Sequence, residues 1–445
     1  MGEAWLTVPF LAAFGQRVFA VQVRNGVFGV LGIFSCAFLS FELGADLFGA
    51  AVAGLFLALT PAWIVSSLVG IHCAIASCVL APLSLALWLH AARMQRPWLS
   101  AAAALTLGAA LWTHSTITAW ILGLVAAAAA GALASPWAGM APRRKRLLAA
   151  ACAALLVFPQ LPFVVTLLTN RDAFEFWSKI TLKSPSRYYD LTFRMASRLN
   201  GFAEIFDARG RSLIVLGAPI VAIFIVAARS RRLSRRAALP WILFACYLLL
   251  SEFSPTGLEF YHLLPLVPLF WAAVCALAAQ PDRAVSRRWA GALLAMLLCL
   301  RTGSFVHMMR SNAPQPYYDS WTQPSDADGR LFSFFESRPG VRPVFIGNDG
   351  DMPEPAFLFC SRDRIVPIMI GNDPDRPVDS DPRWNDAFSA PRTLFVVKSA
   401  GNSPEQDAFQ LQVAKRGLTA GVESVIRAQD GAPAYDVYRL RQVRN

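Results

Sequence analysis

Two acids and a histidine beside an apolar run are the residues of this sequence best suited to proton transfer. Glu252 and Glu259 fall in a short polar stretch, and Tyr261-His262-Leu263-Leu264-Pro265 opens the next apolar segment directly after them. An ionisable group at a membrane boundary is costly enough to mark a functional candidate, although groups near a helix end also snorkel to water. His262 and the two glutamates therefore stand either as acid–base groups or as interfacial residues in contact with water. His114-Ser115-Thr116 is a polar break between two apolar runs. Such a break survives in a membrane only inside protein or beside a cavity, so His114 serves either as part of a turn or as a ligand contact.

Cations supply a second kind of chemistry. Arg187, Arg194 and Arg198 lie with Tyr188 and Tyr189 in one polar loop, and Arg301 sits near the end of the last apolar segment. Arginine forks grip phosphate bidentately, so this set suits the phosphate of a lipid carrier at the membrane surface. The plainer alternative is a solvated loop with arginines among the headgroups.

Metal and thiol chemistry find less support. Asp349, Asp351, Asp373, Asp375, Asp379 and Asp381 crowd together, yet the run 373–381 lacks the glycine and closing glutamate of a calcium loop. Its prolines signal an extended connector. Seven of the eight cysteines lie inside apolar runs and read as small packing residues, with Cys360 apart. No C-x-x-C pair, phosphate-binding glycine loop or nucleophile elbow occurs in a usable context.

The elements that must position these groups are membrane helices. An apolar fraction of 55% with 16% charged residues exceeds the soluble norm, and many windows approach the roughly 20 residues that cross a bilayer. About ten apolar segments are predicted, at 27–43, 47–70, 71–91, 100–112, 116–133, 147–168, 212–228, 237–251, 261–279 and 289–306. Basic clusters at Arg93/Arg96, Arg143 to Arg146, Arg229 to Arg236 and Arg283/Arg287/Arg288 mark cytoplasmic loops. Two apolar stretches separate consecutive clusters, so all four fall on one side. The net charge of +12 is explained by these loops rather than by nucleic acid, which is excluded as a partner.

Parity then places residues 1–26 outside, where 4–20 suit an amphipathic surface helix. The predicted fold class is mainly α, a polytopic membrane helix bundle with a small C-terminal α/β soluble domain. Its parts are an external segment 1–26, a helical domain 27–307 with an external loop 170–211, and an external soluble domain 308–445. Strands are expected at 343–347, 364–370, 392–398, 423–427 and 434–440, with helices at 328–337, 353–360 and 404–416.

Several stretches together resemble the integral-membrane glycosyltransferases of the GT-C class, in the bacterial branch of protein O-mannosyltransferases and the aminoarabinose transferase. They are Arg24 at the head of a span, the turn Glu42-Leu43-Gly44-Ala45-Asp46, Leu59-Thr60-Pro61, the stretch Gly108-Ala109-Ala110-Leu111-Trp112-Thr113-His114, and the later Tyr261-His262-Leu263-Leu264-Pro265. In that family a loop after the first span carries a catalytic aspartate. If 27–43 matches the family's second span, the first span and most of that loop are absent, and residues 1–23 hold Glu3 as their only acid. No catalytic aspartate is carried over. Either the true start lies upstream, or the protein is a non-catalytic relative.

The resemblance implies an enzyme of the bacterial inner membrane. It would move a sugar from a polyprenyl-phosphate donor to an envelope acceptor on the external, periplasmic face, amid membrane lipid. Arg187, Arg194, Arg198, Tyr188, His262, His114 and Arg301 would hold the substrate. Glu252, Glu259 and Glu3 are the acids available as a catalytic group. No cofactor is assigned, a divalent metal stays open, and the acceptor is unspecified. A carrier or flippase for a lipid-linked substrate, or a membrane scaffold, would use the same basic cavity without a base.

Overall fold

The computed structural model describes residues 2–14, 18–60, 63–64, 67, 75–114, 117–170, 211–229, 235–251, 263–280, 284–311, 326–347, 365, 367–371, 378–390, 392–399, 404–427 and 431–442. The chain divides into two compact units. One comprises Met1–Leu6, Arg24–Leu68 and Cys73–Ala313; the other comprises Thr7–Val23, Val69–His72 and Pro314–Asn445.

The larger unit is a helix bundle. Of α1, Gly2–Phe14, and α2, Val18–Glu42, this unit takes residues 2–6 and 24–42; then follow α3 Leu47–Ala58, α4 Ile75–Met94, α5 Trp98–Thr113 and α6 Ile117–Ala129. Helix α7, Pro142–Val157, continues through one 3₁₀ turn at Phe158–Gln160 into α8, Leu161–Thr169. Then come α9 Arg211–Arg229, α10 Arg235–Ser251, α11 Leu266–Ala278 and α12 Ala284–Ser311. Among the described residues, three stretches are long and apolar enough to cross a membrane: Ala20–Glu42, Ile75–Met94 and Pro142–Thr169.

Small polar side chains stitch this bundle where lipid offers no hydrophobic drive for association. The central helix α2 donates from Ser35 Oγ to the Val79 carbonyl at 3.2 Å, from Cys36 Sγ to the carbonyls of Ala53 and Pro268, and from Ser40 Oγ to the Ala272 carbonyl at 3.2 Å. It thereby packs against α3, α4 and α11 together. The α7–α8 rod instead exposes Leu147, Val157, Phe158, Val165 and Leu168, a face suited to lipid.

Several boundaries differ from the sequence reading. The apolar stretch 47–70 is broken after α3 ends at Ala58, because Pro61 disfavours helical geometry at the residue before it and offers no N–H, and Trp63, Ile64 and Ser67 are helical again. The turn between α2 and α3 needs Gly44 at φ +111°, and Asp46 caps α3 by accepting from the Gly49 N–H at 2.7 Å. Helix α1 is described over Gly2–Phe14, and residues 15–17 of the surface helix expected over 4–20 lie outside the described residues; it exposes Val8, Pro9, Ala12, Ala13 and Phe14.

The other unit holds a five-stranded sheet in the order β2-β1-β3-β5-β4, with β1 Arg342–Ile346, β2 Ile368–Ile370, β3 Thr393–Lys398, β4 Leu418–Arg427 and β5 Pro433–Gln442. β2, β1 and β3 run parallel, while β5 returns antiparallel between β3 and β4. Alternation along the strands feeds two cores. Phe345, Leu394, Val396 and Val437 pack with Leu331 and Phe335 of α13, Asp326–Glu336. Val344, Ile346, Phe395 and Val397 pack on the opposite face with Trp384 of α14, Arg383–Ser389, and Phe409 of α15, Pro404–Lys415. The result is a three-layer α/β domain. Helix α14 was not expected from sequence, and the helix expected at 353–360 lies outside the described residues.

Candidate functional site

One end of the bundle concentrates buried cationic and polar side chains. Arg24 and Asn25 follow six residues into α2, and both are buried, with Arg24 Nε donating to Asn25 Oδ1 at 2.9 Å. Arg301 of α12 is fully buried, and its Nη2 donates to the Leu59 carbonyl at 3.1 Å. Leu59 is the cap of α3, where helix geometry ends and a carbonyl is left without an intrahelical donor.

The segment after that cap lies against α2. Thr60 Oγ1 donates to the Phe56 carbonyl at 2.8 Å and accepts from Trp271 Nε1 at 3.0 Å, while the Trp271 ring stacks on Phe56 at 4.5 Å. Trp63 Nε1 donates to the Gly29 carbonyl at 3.2 Å. Glycine is needed here: a Cβ on Gly29 would stand 2.3 Å from Ser67 Oγ, and one on Gly32 would stand 2.1 Å from Trp63 Cζ2. This path of contacts ties Arg301 through Leu59, Thr60 and Trp63 to Gly29, from which Arg24 is about 7.5 Å along α2 at 1.5 Å per residue.

The opposite end is organised by a different charge set. The fully buried carboxylate of Glu42 accepts, on Oε1, from Arg93 Nη2 at 2.7 Å and from His90 Nδ1 at 2.8 Å. Trp88 Nε1 donates to the Ala134 carbonyl at 2.9 Å, and a Cβ on Gly44 would stand 3.3 Å from Gln280 Nε2. The segments leading to the basic tips at Arg93, Arg143 and Arg283 are thus gathered at the Glu42 end. Arg24 and Glu42 lie about 27 Å apart along one helix, close to the roughly 30 Å of a hydrocarbon core.

Of the residues singled out by sequence, the structure places His114 and Arg301. His114 caps α5 in extended geometry, its N–H donating to the Ala110 carbonyl at 3.1 Å and its carbonyl accepting from Ile117 N–H at 3.3 Å. It makes the turn between α5 and α6. Arg187, Tyr188, Arg194, Arg198, Glu252, Glu259 and His262 lie outside the described residues, as does the side chain of Glu3. Asn25, Thr60, Trp63 and Trp271 were not singled out as site residues. The Arg24-Asn25 pair within an apolar helix was the available signal, because a charge inside a span is expensive.

The aspartate run is corrected in part. Asp381 is no solvated loop residue: it is buried, accepting from the Gly371 N–H at 2.9 Å, the Arg383 N–H at 2.9 Å and the Arg383 guanidinium. Burial alone would raise its pKa, but these hydrogen bonds and the Arg383 charge outweigh burial and hold it below the ordinary value. Asp349, Asp351, Asp373 and Asp375 lie outside the described residues. Among the described residues, no group of three His, Cys, Asp or Glu is placed to hold a metal ion.

No family model and no curated protein sequence matches the chain. Solved structures do. ArnT from Cupriavidus metallidurans, bound to undecaprenyl phosphate, matches with a TM-score of 0.61 and 14% identity over 97% of this chain and 86% of that one. Its apo form matches with a TM-score of 0.60 at the same identity and coverage. The arabinofuranosyltransferase AftD from Mycobacteria matches with a TM-score of 0.50 and 15% identity over 94% of this chain, which spans 33% of AftD. The chain shares the fold of these solved structures.

Proposed function

We propose that this protein transfers a sugar from a polyprenyl-phosphate donor to an envelope acceptor on the external face of the bacterial inner membrane. The observation that carries the reading is the burial of Arg24 and Arg301 at one end of a bundle whose fold, across nearly the whole chain, is that of a protein solved with undecaprenyl phosphate. Guanidinium groups near a membrane surface match the oxygens of an anionic lipid headgroup. A lipid phosphate at the membrane surface supplies that anion.

In the reaction the bond from the anomeric carbon to the phosphate oxygen breaks and a bond to the acceptor oxygen forms. The acceptor hydroxyl passes its proton to a carboxylate, and the polyprenyl phosphate departs as an anion held by arginine. Arg24 and Arg301, with Arg187, Arg194, Arg198, Tyr188 and His262, are our choices for the phosphate. Glu252 and Glu259 are our choices for the base. Orientation follows from the basic tips at the Glu42 end, which resist translocation and leave the Arg24 end and the α/β domain external.

The test uses the purified full-length chain in lipid nanodiscs, supplied with a panel of polyprenyl-phosphate hexoses and pentoses. Release of sugarless polyprenyl phosphate, followed by mass spectrometry, is the expected result. Binding of undecaprenyl phosphate without release across the panel would transfer the argument to a lipid carrier.

A further inference from the structure

A second basic site lies in the α/β domain. A cleft of about 550 Å³ opens where the starts of β3 and β4, the end of β5 and the end of α14 meet. Its walls include Val341, Phe388 and Leu440, and three arginines line it: Arg392, Arg439 and Arg441. Arg439 Nη2 is engaged by Glu423 Oε1 at 3.0 Å. Arg392 and Arg441 are exposed, and no side-chain ion pair or hydrogen bond is found for either among the described residues. The Arg392 backbone is fixed: its carbonyl accepts from the Arg342 N–H at 3.1 Å, and it adopts φ +54°, which side-chain-bearing residues seldom hold.

This clustering is not background charge. Residues 314–445 carry 15 Lys and Arg against 18 Asp and Glu, a net charge of −3 in a chain whose total is +12. Three arginines around one cleft of a net-acidic domain form a local positive site, and its volume falls within the range of small-molecule pockets, about 300–1,000 Å³. Guanidinium forks match carboxylate and phosphate oxygens, while an apolar wall suits the carbon face of a sugar ring.

We propose that this cleft binds an anionic saccharide, with Arg392 and Arg441 gripping a sugar carboxylate or phosphate and Val341, Phe388 and Leu440 backing the ring. The inference rests on the glycosyltransferase reading only in naming this saccharide as part of the acceptor. Binding itself is independent of donor and turnover.

The experiment titrates the full-length protein, in nanodiscs of phosphatidylcholine, with trigalacturonate, glucose 6-phosphate and neutral maltotriose, using calorimetry without any donor. One or both anionic probes bind at least tenfold more tightly than maltotriose, and that binding weakens as salt rises. Arg392→Gln and Arg441→Gln each cut it at least tenfold with an unchanged melting temperature. Glu423→Gln, which releases Arg439 toward the cleft, strengthens it, a gain that misfolding cannot produce. Equal binding of charged and neutral probes, or arginine variants that bind as the parent does, overturns the proposal. Because no donor is present, that failure leaves sugar release from polyprenyl phosphate intact as a separate question.

Discussion

Arg301 and Leu59, 242 residues apart in sequence, are joined by a 3.1 Å hydrogen bond from the Arg301 guanidinium to the Leu59 carbonyl. The bond gives a donor to a carbonyl one residue past the end of α3. It also fixes a cation, fully buried, beside the helix end that carries Thr60 and Trp63.

Replacing Arg301 by Met removes the charge and leaves the Leu59 carbonyl without this donor. Affinity for undecaprenyl phosphate, read by native mass spectrometry, falls by about tenfold or more, the scale of one charge-assisted hydrogen bond. Arg301→Lys recovers only part, since an ammonium cannot present a planar fork to carbonyl and phosphate at once. Parental affinity in a folded Arg301→Met variant would remove Arg301 from the lipid site.

Glu42 organises the other end. Arg93→Met leaves a buried carboxylate with His90 alone on Oε1 and lowers unfolding stability by about 1–3 kcal/mol, toward the lower value because Arg93 is partly exposed. Arg96→Met, two residues past the end of the same helix and exposed, shifts stability within about 0.5 kcal/mol. A double-mutant cycle with Glu42→Gln and Arg93→Met, followed by thermal melting in detergent, returns a non-zero coupling energy. Additivity would mean that the pair contributes nothing.

Much of the bundle was readable because long apolar runs and basic tips are dictated by the bilayer itself. The strands Arg342–Ile346 and Thr393–Lys398 were legible as short continuous runs of β-branched and aromatic residues. Helix Arg383–Ser389 was not, since its seven residues carry Asn, Asp and Ser and give no clear period. Asp381 fixes its start by accepting from the Arg383 N–H two residues on, and is itself held by the Gly371 N–H at the end of β2. The candidate site was legible in part: Arg301 stood out as a charge near a span and Thr60 within the stretch Leu59-Thr60-Pro61, whereas Trp271 read as an ordinary helix residue until folding joined it to Thr60.

Gly108 tests helix packing. Its Cβ would stand 2.4 Å from the Leu156 carbonyl oxygen and 3.0 Å from that of Leu155, and its own carbonyl accepts from Gln160 Nε2 at 2.8 Å. Alanine gains about 1 kcal/mol of helix propensity, but backbone cannot move aside as a side chain can, and overpacking costs about 1–3 kcal/mol. Gly108→Ala therefore lowers the melting temperature. Gly291→Ala in α12, where nothing lies within 4 Å of the added Cβ, raises it. Equal shifts at the two positions would contradict the close approach of α5 and α7.

Asp381 gives the α/β domain an acid-sensitive anchor. Its folded pKa lies below the ordinary 3.8, so its contribution is present above that value and is lost as pH falls through the folded pKa. Asp381→Asn keeps the shape but loses the charge that binds Arg383, whose Nη2 stands 2.7 Å from Asp381 Oδ2. Melting of the two full-length proteins between pH 6 and pH 2 should show the variant less stable at pH 6. The gap then narrows below about pH 4, as protonation removes from the parent what substitution already removed. A gap that keeps its size down to pH 2 would show that Asp381 acts through shape alone.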